Sequence, residues 1–199
     1  MTSIDKIIEL FKRKNLRLES GLSGREIQDV ETRFQFRFPP DLRSLLQMAL
    51  PVSKKFYHWR KALVDTKTAE QIQKMLDWPR DGILFDVEHN NFWVGRCLPD
   101  VSAWGQKPEI LEKQFDIAKT HIATYPRLIP IYSHRYIPET PHEENNPVFS
   151  VYQTDIIYYG SSIANYFLNE FCKKDKLKLP REMKRIPFWS DCCDCLFNG

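Results

Sequence analysis

The sequence predicts an α+β fold, a single domain with a C-terminal arm. Three observations lead there. Helical apolar spacing fills the first fifty residues, alternating and β-branched runs dominate the middle, and a helical pattern returns after residue 160. Helices segregated from strands in this way argue against the alternating βαβ units of a parallel sheet. The 199 residues are 42% apolar and 13% aromatic, enough to bury a substantial core, and the seven glycines make long phosphate-cradling loops an unpromising reading.

The elements follow in order. Ile4, Ile7, Ile8 and Phe11 form the stripe of a first helix. Ser23 and Glu26 are spaced as a capping box and start a second helix, continued by Ile27, Val30, Glu31 and Phe34. Pro39 and Pro40 interrupt it, since proline has no amide to donate and biases its predecessor away from helix. A third helix begins near Asp41, buries Leu42, Leu45, Leu46 and Ala49, and stops at Pro51. The alternation of Ile83, Phe85 and Val87 predicts a half-buried strand, with His89-Asn90-Asn91 as a hairpin turn into Phe92-Trp93-Val94. Residues 108–124 read as a helix turning Ile110, Leu111, Phe115, Ala118 and Ile122 inward. Strands are expected at 128–132, 148–152 and 156–159, the last two joined by a turn at 153–155. Gly160-Ser161-Ser162 then caps a closing helix with Ile163, Tyr166, Phe167 and Phe171.

The net charge of +3 is unevenly placed. Residues 173–199 hold seven basic and four acidic side chains, leaving 22 of each sign in residues 1–172. A basic tail on a neutral body does not make a nucleic-acid binder, and direct nucleic-acid contact is not expected. No apolar run is long enough to span a bilayer, and charges interrupt the first residues, so a cytoplasmic protein without membrane contact is expected. Five cysteines, three of them at 192, 193 and 195, do not resemble a disulfide framework and are expected to be reduced.

Gly21-Leu22-Ser23, Glu26-Ile27, Phe38-Pro39-Pro40-Asp41-Leu42-Arg43, Leu45-Leu46, Leu50-Pro51 and Trp59-Arg60 together resemble the N-terminal half of the SUKH superfamily. Residues 156–171 are similar to its final strand and closing helix, and the runs 85–93, 129–138 and 146–155 look like one bacterial subgroup. The matches keep their order across most of residues 18–172. The resemblance implies an antiparallel-dominated mixed sheet packed against helices, in a SUKH-like domain at 1–172 followed by a basic arm and Cys-rich tail at 173–199. It also implies a non-catalytic protein-binding role: bacterial members commonly neutralise a toxin, often a nuclease, and eukaryotic ones, including a yeast cell-wall-synthesis regulator, act as scaffolds. No catalytic residue and no cofactor comes with it.

Two groups of residues stand out as partner-binding candidates. Glu139, Glu143 and Glu144 lie in a loop without lysine or arginine and would suit the basic cleft of a nuclease toxin; the same loop also reads as a solvated segment held extended by prolines. Glu88, His89, Trp93, His134, Arg135, Tyr136 and Asp155 would converge if neighbouring strand ends met, and aromatic and arginine side chains are common interface anchors. They equally read as structure, with Trp93 in the core and Arg135 paired to Asp155 or Glu88. Enzyme motifs are weak. His89-Asn90-Asn91 lacks the second histidine of a His-Asn-His nuclease, and Ser23 is better explained as a cap than as a nucleophile. Cys192, Cys193 and Cys195 lack the paired spacing of a zinc site and read as an unstructured tail, while Ile186, Phe188 and Trp189 read as anchors of an arm folded back on the domain. A regulatory scaffold and, third, an uncharacterised hydrolase remain as alternatives to toxin neutralisation.

Overall fold

The computed structural model describes residues 2–94, 104–172, 179–180 and 182–195. Along them run α1 (Ser3–Arg13), β1 (Leu18–Ser20), α2 (Gly24–Phe34), α3 (Pro40–Met48), β2 (Ala49–Pro51), α4 (Trp59–Ala62), α5 (Thr66–His89), α6 (Leu111–Ile122), β3 (Leu128–Tyr132), β4 (Arg135–Pro138), β5 (Val148–Tyr152), β6 (Asp155–Gly160), α7 (Ile163–Phe171) and α8 (Trp189–Cys195). Strands β3 to β6 form a meander in chain order, and β1 and β2 form a separate ribbon. The fold is α+β, as the segregated periodicities predict. Every pairing among the described residues is antiparallel, so the parallel component expected of a mixed sheet is not found there.

Local chemistry sets the N-terminal helices. Ser23 Oγ accepts from the Glu26 amide at 3.2 Å while Glu26 Oε2 accepts from the Ser23 amide at 2.8 Å, which satisfies two otherwise orphaned donors at the start of α2. That helix ends where Gln35 turns left-handed, and the Arg127 guanidinium donates to the freed carbonyls of Phe34 and Gln35 at 2.7 and 2.9 Å. Pro40 occupies the first turn of α3, where a missing amide costs nothing. Pro51 ends a strand instead of that helix: Ala49–Pro51 is extended and pairs with Leu18–Ser20.

The meander is buried on both faces. Ile129, Ile131, Ile137 and Val148 face a first core that includes Phe11, Phe38, Leu45, Trp59 and Phe167. Leu128, Tyr136, Phe149, Val151 and Ile156 face a second core made by Ile83 and Val87, Ala118 and Ile122, and Ile186, Phe188, Trp189, Cys192 and Cys193. Helices thus cover both sides of one sheet. Burial of each large apolar side chain contributes about 1.5–3 kcal/mol.

The predicted hairpin at 83–93 is overturned. Ile83, Val87 and His89 belong to the 24-residue helix α5, whose buried stripe runs through Ala69, Ile72, Leu76, Pro79, Ile83 and Val87. Ile83 and Val87 are one turn apart on that stripe, and Phe85 points outward with 45% of its surface exposed. The local alternation of three residues was a fragment of a helical period. Pro79 lies inside α5, where it cannot donate to the Met75 carbonyl; the Tyr136 hydroxyl donates to that oxygen instead, at 3.0 Å. Helix α6 buries Gln114, Ala118 and Ile122, whereas Ile110 and Leu111, expected inside, are exposed. Gln114 is held there by donating to the Pro108 carbonyl at 2.7 Å.

The C-terminal arm does fold back, and the cysteine tail is not unstructured. Residues 189–195 form α8 against β6, with Cys193 fully buried. The segment is tied to the body by Trp189 Nε1 donating to the Pro126 carbonyl at 2.7 Å, and the Ile186 amide donating to Ser190 Oγ at 2.7 Å fixes its own first turn.

Candidate functional site: an aromatic cleft at one end of the sheet

The β3–β4 turn (Ser133, His134) and the β5–β6 turn (Gln153, Thr154) lie at the same end of the meander, because the four strands alternate in direction. Two further segments close around that end. The loop before α4 is stitched to the β3–β4 turn: the Ser133 amide donates to the Lys55 carbonyl at 2.9 Å, and the Tyr57 hydroxyl donates to the Ser133 carbonyl at 2.5 Å. Helix α5 is pinned to the β5–β6 turn, since Asp86 Oδ2 accepts from the Thr154 amide at 2.9 Å and from its hydroxyl at 2.6 Å. Gly82 makes that approach possible: a Cβ there would stand 2.8 Å from Gln153 Cα.

Between these segments lies a cleft of about 440 Å³. Its aromatic wall is Trp78 and Tyr152, with ring centroids 6.3 Å apart and Tyr152 58% exposed. Its polar lining includes Lys55, His58, Gln71, Ser133 and His134 and, among the described residues, contains no aspartate or glutamate. Lys55, Ser133 and Gln153 adopt φ values of 79°, 50° and 54°. Non-glycine residues in this region cost about 1 kcal/mol or more and tend to mark functional turns.

His134 sits with Nδ1 3.2 Å from Ser133 Oγ. Burial, followed by the charges of Arg135 and Lys55, pulls its pKa below the usual histidine value, so the ring is neutral at pH 7. Burial pushes the Tyr57 hydroxyl well above its usual range, so it stays protonated and able to donate to the Ser133 carbonyl. Lys55 makes no ion pair among the described residues and lies 5.6 Å from the Tyr132 ring centre.

The predicted partner-binding residues divide by location. Glu88 and His89 close α5 beside the pinned β5–β6 turn, Asp155 pairs with Tyr152 across that turn, and the His134 carbonyl accepts from the Val151 amide. These four therefore share one end of the molecule, although the predicted hairpin is not what brings Glu88 and His89 there. Trp93 is partly buried on the second core, with Nε1 donating to the Gly105 carbonyl at 2.9 Å. Tyr136 is fully buried and cannot meet a partner; its hydroxyl is committed to Met75. Arg135 pairs with neither Asp155 nor Glu88. Its guanidinium stacks 3.8 Å from the Tyr159 ring centre and donates to Ser150 Oγ at 2.8 Å.

Glu139, Glu143 and Glu144 lie at the opposite end of the sheet, since β4 runs away from His134 toward them. Their loop is tethered. Glu139 accepts from the Arg37 amide at 2.8 Å, and Lys184 Nζ reaches Glu143 Oε2, the Glu144 carbonyl and Asn146 Oδ1 at 3.2, 2.9 and 3.1 Å. The acidic loop is thus neither free-floating nor part of the cleft. Among the described residues no three His, Cys, Asp or Glu side chains converge as metal ligands, and burial pushes the Cys193 thiol up to about 12, far from a thiolate ligand.

Lys55, Tyr57, His58, Trp78 and Tyr152 were missed by the sequence reading. Four separate stretches of chain contribute to the cleft, so no spacing within one motif announces it. An aromatic residue placed directly before the β5–β6 turn was the one available hint.

Fold and site together define an α+β domain with an open, carboxylate-free aromatic cleft at one end of a meander. No helix of the described residues is long and apolar enough to cross a membrane. No protein-family model matches the chain, and no significant match to it is found among curated proteins or solved structures.

Proposed function

We propose that this chain is a non-catalytic protein-binding domain of the SUKH type that neutralises a cognate toxin in the cytosol by stoichiometric binding. The resemblance of residues 21–60 and 129–171, kept in order along the chain, is one support. The observation that carries the reading is the exposed aromatic edge at the cleft end. Tyr152 is 58% and Phe85 45% exposed, Phe85 packs against His89 at 4.4 Å, and all three stand on backbone pinned by the buried Asp86. Rigid aromatic side chains on a fixed scaffold bury area at little entropic cost, which is how interface anchors work. Among the described residues His134 has no carboxylate partner to orient it as a general base, which favours binding over hydrolysis as the use of this surface.

Co-expression with candidate secreted toxins tests the proposal. A member of the panel is expected to be tolerated only when the chain is present and to co-purify with it in equimolar amounts. Replacing Tyr152 and Phe85 by alanine is expected to abolish both effects while leaving the melting temperature unchanged. Full protection by that double variant would contradict the proposed surface.

A further inference from the structure

We infer that the cleft is the seat of a short acidic segment of the partner, a loop or terminus whose carboxylates are held by Lys55, His134 and His58 while an adjoining apolar side chain lies against the wall formed by Trp78 and Tyr152. This inference rests on the reading of the chain as a protein-binding module and assigns the chemistry of its partner.

Charge is the first argument. Among the described residues the cleft lining contains one permanent cation and two histidines and no carboxylate, and the charge of Arg135 also acts on His134. Lys55 forms no ion pair among the described residues and only faces the Tyr132 ring at 5.6 Å, so an incoming carboxylate would displace no internal carboxylate. The lowered pKa of His134 reports a positive surrounding as well as burial. His134 Nε2 is not engaged by any described residue, so a ligand oxygen has a donor there once the other ring nitrogen carries no proton. Geometry is the second argument. A cleft of about 440 Å³ accommodates two or three side chains but not a folded element. Its floor is preorganised by the Ser133–Lys55 and Tyr57–Ser133 hydrogen bonds, so little ordering is required when the segment enters.

The same cation–aromatic mixture can hold single-stranded nucleic acid, but such sites follow the backbone with several permanent cations. Among the described residues Lys55 is the single Lys or Arg in the lining, and a neutral His134 adds hydrogen bonding without charge. One or two carboxylates fit this arrangement better than a run of phosphates.

The test is to pan a random dodecapeptide library on the full chain and measure the winners by fluorescence anisotropy, alongside a labelled oligouridine. The selected pool is expected to be rich in aspartate and glutamate beside an aromatic or aliphatic residue. Lys55→Glu is expected to weaken those peptides about tenfold or more, as loss of a charge-assisted contact does, and Tyr152→Ala likewise, while Lys6→Glu, on α1 away from the cleft, leaves them unchanged. A neutral or basic pool, no enrichment, peptides indifferent to both cleft variants, or oligouridine binding that Lys55→Glu abolishes would each overturn the assignment. Should a toxin complex survive Lys55→Glu intact, the cleft assignment falls and the binding-module reading stands. Should acidic peptides bind through Lys55 while no toxin is captured, the toxin reading falls and the cleft assignment stands.

Discussion

Pro79 leaves the Met75 carbonyl without its helical donor, and the Tyr136 hydroxyl supplies one from across the sheet. Tyr136→Phe keeps the ring volume but strands a buried acceptor, and is expected to cost about 1–3 kcal/mol in urea unfolding. A value indistinguishable from zero would mean the carbonyl finds another partner. Glu26 answers to pH. The hydrogen bond from Arg60, then that from the Ser23 amide, holds its carboxyl down from 4.5 to about 2. The folded value lies below the unfolded one, so this contribution is fully present above the ordinary carboxyl pKa and is lost as pH falls from there through about 2. Glu26→Gln is expected to flatten that part of the stability–pH curve, by about 1–2 kcal/mol because the pair is open to solvent screening. The capping role of Glu26 was legible in the sequence, since it is a local spacing rule. The role of Tyr136 was not, because its partner lies 61 positions away and is a backbone oxygen.

At the scale of elements, α5 decides where the site lies. Its first half buries Ala69, Ile72 and Leu76 in one core, its second half buries Ile83 and Val87 in the other, and Pro79 falls between them. The helix is docked by Asp86 on Thr154 and by the bare backbone of Gly82 against Gln153. Gly82→Ala places a methyl 2.8 Å from Gln153 Cα and is expected to destabilise the fold by about 1–3 kcal/mol and loosen partner binding together, read by thermal melting and by affinity. An unchanged protein would show that the β5–β6 turn can retreat. The strands at 128–132 and 148–152 were legible because β-branched and aromatic runs bounded by turn residues suit little else. Helix α5 was hidden by its own length. A window of five residues from Ile83 to Val87 alternates, and only the stripe traced back to Ala69 reveals the helical period.

At the scale of the molecule, one meander is covered by helices on both faces, and the last described segment closes the second face. Ile186, Phe188, Trp189 and Cys193 lie in that core, so residues 186–193 are a structural part of the body they follow. Trp189→Ala is expected to cost about 3–5 kcal/mol by opening a large cavity. An effect below ~1 kcal/mol would show that α8 rests on the surface without supporting it. The arm was legible in its apolar anchors. The cleft was not, because residues near 55, 75, 133 and 152 become neighbours only once the sheet and α5 have packed.

The central claim is that this surface binds and does no bond chemistry. It is tested most directly by titrating a toxin that the chain protects against, at fixed toxin concentration above the dissociation constant, with increasing chain. The account predicts a linear loss of toxin activity that ends at one equivalent and returns when the complex is dissociated. Complete and lasting inactivation by a small fraction of an equivalent would contradict it, because that outcome requires turnover.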